Sequence, residues 1–194
     1  MMNYKPKIYS EILDVAENLF NRFGYCAVGV DAICEKSDVS KATMYKYFNN
    51  KEGLIEQVLL RRDSRFREGL THVVESSNTS WGKINGILNW HLDWFKSPEF
   101  TGCMFIAADS EFHYTNQNIF KIIHQHKKWL VSLLKNCIDE NNAKRDELAQ
   151  MIMIFIEGMI SYATVFDFKN DFSYDTNIIC NFIEDYCITT ANSH

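Results

Sequence analysis

Five side chains able to grip a polyanion, Lys41, Thr43, Tyr45, Lys46 and Tyr47, fall within the stretch KATMYKYF at residues 41–48. Ammonium and hydroxyl groups so placed can donate to phosphate oxygens or to base edges, which is nucleic-acid chemistry rather than catalysis. At 100° per residue from Met44, Phe48 lies about 40° away, whereas Ala42, Lys46 and Thr43 fall at about 160°, 200° and 260°. The stretch therefore reads as a short helix moored along one narrow apolar edge, with Val39 before it on the same side and the polar groups turned away. A polar face with two lysines is by itself an ordinary solvated surface. A tyrosine pair flanking that face, on a helix too short to persist by propensity, calls for a partner.

The residues around it supply the rest of such a contact. Ser40 offers an N-cap oxygen, and the free N–H groups of Lys41 and Ala42 form a positive dipole end. Ala42 is small enough for close approach, and Lys51 adds a second cation at the start of the next helix.

The elements that must hold this stretch follow from apolar spacing. Ile8, Ile12, Val15, Ala16, Leu19, Phe20 and Phe23 recur with a helical period that Gly24 closes. Val30–Lys36 gives a second, short helix with Val30 and Ile33 inward, and the four residues 37–40 then lead into the third, which makes a helix-turn-helix. Asn50 caps a fourth helix to about Val74. The segment ESSNTS at 75–80 is a loop, and further helices are expected at about 81–96, 102–112, 116–141, 145–167 and 174–190. The fold expected is all-α: a three-helix DNA-binding domain over residues 1–52 and a helical effector-binding and dimerisation domain over 53–194.

Bulk properties narrow the function. The chain has 194 residues, 46% hydrophobic and 14% aromatic, enough for a substantial core. Its net charge of −5 is uneven: residues 1–62 hold nine Lys/Arg against eight Asp/Glu, the remainder eleven against seventeen, so the N-terminal part is the less acidic. Six cysteines, at 26, 34, 103, 137, 180 and 187, show no metal-type spacing and read as core residues of a cytoplasmic protein. No export signal opens the sequence. Leu148–Phe166 is long enough to span a bilayer, but Glu157 near its middle would cost about 2.5–3.5 kcal/mol there, so a helix buried in protein is expected and no membrane partner.

Residues 8–60, with ILDVAENLFNRFGY and then VDAICEKSDVSKATMYKYFNNKEGLIEQVL, resemble the DNA-binding domain of the TetR family of transcriptional regulators. The phenylalanine and glycine of helix one, the turn serine, the Tyr-x-Tyr-Phe run and Asn-Lys-Glu all stand at that family's spacing. The resemblance implies that Val30 begins the supporting helix beside a phosphate, that Lys41, Ala42 and Lys46 face base edges, and that Thr43, Tyr45, Tyr47 and Lys51 hold phosphates. It also implies a dimer, an operator and a small effector, and the last two helices carry more apolar residues than their own core needs, so a homodimer through them, on a palindromic operator, is expected. Two positions depart from the pattern. Gly29-Val30 replaces a Thr/Ser pair whose hydroxyl would cap helix two, and Asp38 stands where a turn glycine is common.

For the effector, Trp90, Trp94, Phe105, Phe112, Trp129, Phe155 and Met159, with Trp81 and Phe166, are candidates to line a cavity for an apolar or aromatic molecule. His91, Asp109, Glu157 and Tyr162 would supply a polar handle; the bland alternative is that all are core. His124 and His126 are two apart on a helix and cannot share a metal ion. No nucleophile-elbow, phosphate-loop, zinc-protease or dinucleotide motif is present, so neither enzyme activity nor a cofactor is expected. The competing readings are a regulator switched by the Cys103 thiol, and a small-molecule-binding module that no longer binds DNA.

Overall fold

The computed structural model describes residues 7–166 and Asn181, and within them the chain is all-helical. The helices are α1 (Lys7–Phe23), α2 (Val30–Lys36), α3 (Lys41–Phe48), α4 (Lys51–Glu75), α5 (Ser80–Phe95), α6 (Met104–Phe112), α7 (Gln117–Cys137) and α8 (Arg145–Val165). The helix expected at 174–190 lies outside the described residues.

The chain divides into two compact units, residues 1–65 with 103–126, and residues 66–102 with 127–194. The first takes in α6, which a boundary at residue 52 leaves out. The reason is visible in its core. Ile12, Ala16, Ile33, Met44, Leu54, Ile55, Val58 and Leu59 are wholly buried together with Ala108 and Ile119, so α6 and the start of α7 complete the apolar enclosure of the three N-terminal helices. Packing of this kind supplies the stability that helices of seven and eight residues lack alone.

The amphipathic stripe of α1 is realised with one exception. Ile12, Ala16, Leu19 and Phe20 are buried, but Phe23 is 56% exposed, with the Arg22 guanidinium 5.5 Å from its ring centre. The helix ends there because Gly24 turns to φ +81°, its N–H still reaching Phe20 O at 3.0 Å, and the last side chain is carried off the core.

A single acid on α1, Glu17, is buried, and the guanidinium groups of Arg61, Arg62 and Arg65 on α4 converge on its two oxygens, Arg61 at 2.7 Å and Arg62 at 3.3 Å. Three cations offset the cost of removing this carboxylate from water. Tyr9 on α1 donates its hydroxyl to Gln57 Oε1 at 2.9 Å. In the same unit His126 of α7, also buried, lies 2.8 Å from Asp63 Oδ1 and stacks on Phe105 with ring centres 3.7 Å apart. His124 is exposed, its ring over Phe120, so the two histidines do face different surroundings.

The second unit is organised around α5 and α8. Ile84, Ile87, Leu88, Leu92 and Phe95 of α5 are buried, as are Leu148, Ile152, Met153, Ile156, Met159, Ile160 and Ala163 of α8. Among the described residues α8 is the helix long and apolar enough to cross a membrane, but Glu157 within it pairs with Lys127 at 2.5 Å and its apolar side packs on α5. α7 stops at Cys137 rather than 141, because Asp139, Asn141 and Asn142 spend their side chains on local turns: Asp139 Oδ1 accepts from Asn141 N at 2.8 Å and Asn142 Oδ1 from Lys144 N at 2.9 Å.

Candidate nucleic-acid interface

The turn between α2 and α3 is built by short-range bonds. Ser37 returns its N–H to Ile33 O at 3.0 Å and its hydroxyl to the same oxygen at 2.6 Å, while Val39 N–H reaches Cys34 O at 3.0 Å. Asp38 takes φ +52° to let the chain reverse, a conformation Asp accepts more readily than most residues. Ser40 then starts α3, its hydroxyl accepting the Thr43 N–H at 3.1 Å and lying 2.9 Å from Thr43 Oγ1. Gly29 precedes α2 in an extended conformation and provides no side-chain cap.

The helix presents two faces. Met44 and Phe48 are buried, 0% and 4% exposed, with the Phe48 ring stacked 4.8 Å from Tyr9. Lys41, Ala42, Tyr45 and Lys46 are exposed, and Thr43 and Tyr47 half-buried. Tyr47 leans its ring edge-on against Tyr9 at 6.0 Å, which holds the phenol beside the outward face. The expected two-sidedness is present, with Met44 and Phe48 inward and Ala42 and Lys46 outward, but Thr43, expected to face away, is half-buried.

Two of the three cations near this face are engaged. Lys41 Nζ lies 2.5 Å from Asp31 Oδ1 on α2, a hydrogen bond that pushes the ammonium above its ordinary value. Lys51 Nζ reaches Cys26 O at 3.4 Å. Lys46 is exposed and pairs with no described residue. Val30 is half-buried, packed against the core at the first position of α2.

Two features that place α3 have no simple signature in the sequence. The first is the junction with α4. Asn49 has φ +66° and ψ −56°, and Asn50 N–H returns to Phe48 O at 2.8 Å, a γ-turn of the rare positive-φ kind. Asn50 Oδ1 then caps α4 by accepting Gly53 N–H at 2.7 Å. A Cβ at Gly53 would lie 2.1 Å from Phe48 O, so only glycine permits the approach.

The second is a clamp on the segment before α2. Glu111, in the last turn of α6, accepts the Tyr25 N–H at 3.0 Å and the Cys26 N–H at 2.5 Å, and the buried Tyr25 hydroxyl donates to Met104 O at 3.0 Å. Burial pushes Glu111 up, but the Cys26 thiol, the two N–H groups and Lys51 more than offset this and leave its carboxyl below the usual range. The hydrogen bond to Glu111, with burial adding to it, pushes the Cys26 thiol up. Burial likewise drives the Tyr25 phenol far above its ordinary value. The partners of the Glu111 carboxylate are 86 and 85 residues away in sequence.

The residues expected to line an effector cavity divide between the units. Phe105, Asp109 and Phe112 belong to the first; Trp90, His91, Trp94, Trp129, Phe155, Met159 and Tyr162 belong to the second. Phe105 is buried on His126, Asp109 Oδ1 is 2.8 Å from His113 Nδ1, and Phe112 meets Tyr25 edge-on at 5.9 Å. In the second unit Trp90 and Trp94 set their rings edge-on to Phe66 at 4.9 and 5.1 Å, and Arg67 lies over the Trp129 ring at 4.6 Å. His91 is wholly buried, its Nδ1 2.8 Å from Ile87 O, and Met159 is buried as well. Phe155 is half-buried, whereas Tyr162 is 36% exposed with its ring 4.3 Å from Phe166, a surface position where an inward one was expected. Two clefts of about 370 and 340 Å³ lie in the first unit, along Tyr9, Leu13, Gln57 and Leu60 and along Asp14, Val15 and Asn18, and include none of these ten residues.

Comparison with known proteins agrees with this geometry. Residues 12–58 match the model of bacterial regulatory proteins of the tetR family, the segment that contains α2, the turn and α3. Over 185 residues the chain is 23% identical to the fatty acid metabolism regulator protein of Bacillus subtilis, covering 93% of each. A shorter alignment, 43% identical over 53 residues, spans 28% of the curated relative it matches. Among solved structures, SCO4454, a TetR-family transcriptional regulator from Streptomyces coelicolor, shares the fold with a TM-score of 0.79 at 20% identity, covering 94% of this chain and 93% of that one. CifR, a TetR-family regulator whose cysteine-substituted form was solved with 26bp double-strand operator DNA, shares it with a TM-score of 0.71 at 14% identity over 96% of this chain and 98% of that one. With an outward polar helix held in a helix-turn-helix, an all-helical architecture and these likenesses together, residues 12–58 belong to the tetR family of bacterial regulatory proteins, and the chain as a whole has the fold of TetR-family transcriptional regulators.

Proposed function

We propose that the protein is a homodimeric repressor released from a palindromic operator by a small apolar or aromatic effector. The observation that carries the DNA-reading part is the two-sidedness of α3: Met44 and Phe48 are buried while Lys41, Ala42, Tyr45 and Lys46 stand outward in one patch. Laid into a major groove, that face brings Lys41, Ala42 and Lys46 to base edges and Thr43, Tyr45 and Tyr47 to the flanking phosphates. Val30, Ser40 and Lys51 lie where the backbone on either side would pass, and two copies would read half-sites about 34–36 Å apart, or a multiple of that spacing.

Dimerisation through the last two helices is supported by the surface of α8. Ile154 and Val165 are 73% and 74% exposed, and Gly158, Ser161 and Tyr162 are exposed between them at helical spacing, an apolar strip suited to another copy. An apolar effector is supported by the aromatic content of α5 and by the likeness to a regulator of fatty acid metabolism. A coupling of only about 1–3 kcal/mol between effector and operator would change affinity 5–150-fold.

Footprinting of the DNA upstream of the protein's own coding region tests the reading. A protected palindrome is expected. Lys46→Ala should relax base preference at one position per half-site, whereas Tyr47→Phe and Lys51→Ala should weaken every duplex and flatten the salt dependence. Unchanged binding and salt slope in all three variants would remove α3 from the interface.

A further inference from the structure

One acid reaches from α2 to the outward face of α3. Asp31 occupies the first turn of α2, its side chain is 79% exposed, and its carboxylate holds the ammonium of Lys41, the first residue of α3, at 2.5 Å. Five positions further along α3, Lys46 is exposed and pairs with no described residue. Of the two lysines of this short helix, one is therefore ion-paired and the other has no described partner before any DNA arrives.

That difference matters because the two components of DNA binding use a lysine differently. Sequence-independent affinity comes from cations that displace condensed counterions from phosphates. An ammonium already neutralised by a carboxylate displaces little. Recognition of a base edge instead needs donors aimed at acceptors such as guanine O6 and N7. A lysine holding one carboxylate oxygen keeps two further N–H donors for such acceptors. The pairing thus cuts attraction to any duplex more than attraction to a site that offers base acceptors at the right depth.

Resting on the DNA-binding reading above, we propose that Asp31 is a specificity-determining residue: by holding Lys41 it withholds one cation per subunit from indiscriminate phosphate binding and so widens the gap between operator and random DNA. Its location supports this. Asp31 is on the supporting helix rather than on α3, so it leaves the reading helix free to enter the groove. Lys41 is an ammonium at neutral pH, so the N–H donors not held by Asp31 remain for use at the operator.

The experiment measures binding of the full-length protein to a mixed-sequence duplex and to duplexes that the wild type selects from a randomised pool, across a series of salt concentrations. Asp31→Asn should tighten binding to the mixed-sequence duplex by about two- to ten-fold and steepen its salt slope by about one per subunit. Selected duplexes should gain less, so their ratio over mixed sequence falls. Asp31→Glu, which keeps the charge at the start of α2, should stay near wild type. If Asp31→Asn weakens α2 and lowers the melting temperature, Asp31→Ser, which keeps a small polar residue there, carries the same expectation.

In a Lys41→Met background, Asp31→Asn should lose its effect on the slope. An undiminished effect there would mean that Asp31 acts by repelling phosphates directly, and would overturn the proposal, as would an unchanged ratio in the Lys41 protein. Those outcomes leave DNA binding by α3 standing. A wild type that selects no duplex from the pool would remove that reading, and this inference with it.

Discussion

The two units of the molecule secure their helices by different means. In the first, a largely aliphatic core is overlaid with directional ties: Glu111 to the Tyr25 and Cys26 N–H groups, Glu17 to three arginines, His126 to Asp63, Ser40 to Thr43. In the second, the junction at α5 is aromatic, with Phe66, Trp90, Trp94 and Phe100 meeting edge to face at 4.9 to 5.1 Å. Directional ties fix a helix to within a fraction of an ångström, which reading base edges demands. Aromatic packing is large in energy and tolerant in geometry, which would suit a unit that accepts an effector as proposed above. The contrast is one between placement and accommodation.

The largest expected effects test whether the two roles separate. Met44→Ala in the first unit and Phe66→Ala in the second each remove a buried side chain and should cost about 2–5 and 3–5 kcal/mol respectively, read as a fall in melting temperature or denaturant midpoint. Their consequences for DNA should diverge. Met44 is one of the two anchors of α3, so its loss should weaken operator binding even at temperatures where the protein stays folded, whereas Phe66→Ala should leave that affinity close to wild type. Equal loss of DNA affinity in both would break the comparison.

These expectations also show what a sequence carries. The outward face of α3 was legible because one period and two anchors determine it, and neither depends on the rest of the chain. The Glu111 clamp was not, since its partners lie 85 and 86 residues away and backbone N–H groups leave no mark in composition. The γ-turn at Asn49 and the glycine it requires at 53 were missed for a related reason: a close approach of two backbones is a tertiary fact. Phe23 fitted the α1 stripe by spacing yet left the core, because Gly24 ends the helix there. For the candidate cavity residues, which fall in both units, a set of side chains reads the same whether they pack on each other or around a guest. Asp109 and Tyr162 show the consequence, one spent on His113 and the other at the surface.

The clamp offers a middle-sized test of placement. Glu111→Gln keeps one acceptor oxygen and loses the charge, and because the site is only partly buried the cost should be about 1 kcal/mol. Its pH dependence has a definite sign. Since the folded carboxyl lies below the ordinary range, its stabilisation is complete above the unfolded value of about 4.3 and drains away as the pH falls through the folded one. Wild type should therefore lose more stability than Glu111→Gln on going from neutral pH to below about 4, so the two converge in acid. Operator binding at neutral pH should weaken in the variant, because the segment leading into α2 is less firmly held. Parallel pH profiles would show that the carboxylate does not carry the tie.

The smallest effect concerns Gly29, and it distinguishes placement from stability within the first unit. The residue starts α2 at φ −79° and ψ 156°, an ordinary extended conformation, and a Cβ there would meet nothing within 4 Å. The glycine is thus not required by the backbone, and α2 begins without a side-chain cap. Gly29→Ser should supply the missing acceptor for an N–H of the first turn and raise stability by a few tenths of a kcal/mol. The new hydroxyl also stands beside Val30, where the phosphate backbone would pass, so it should tighten binding to mixed-sequence and operator DNA by the same small factor. A gain in melting temperature without any change in affinity would place the DNA backbone farther from the start of α2 than the docking proposed for α3 requires.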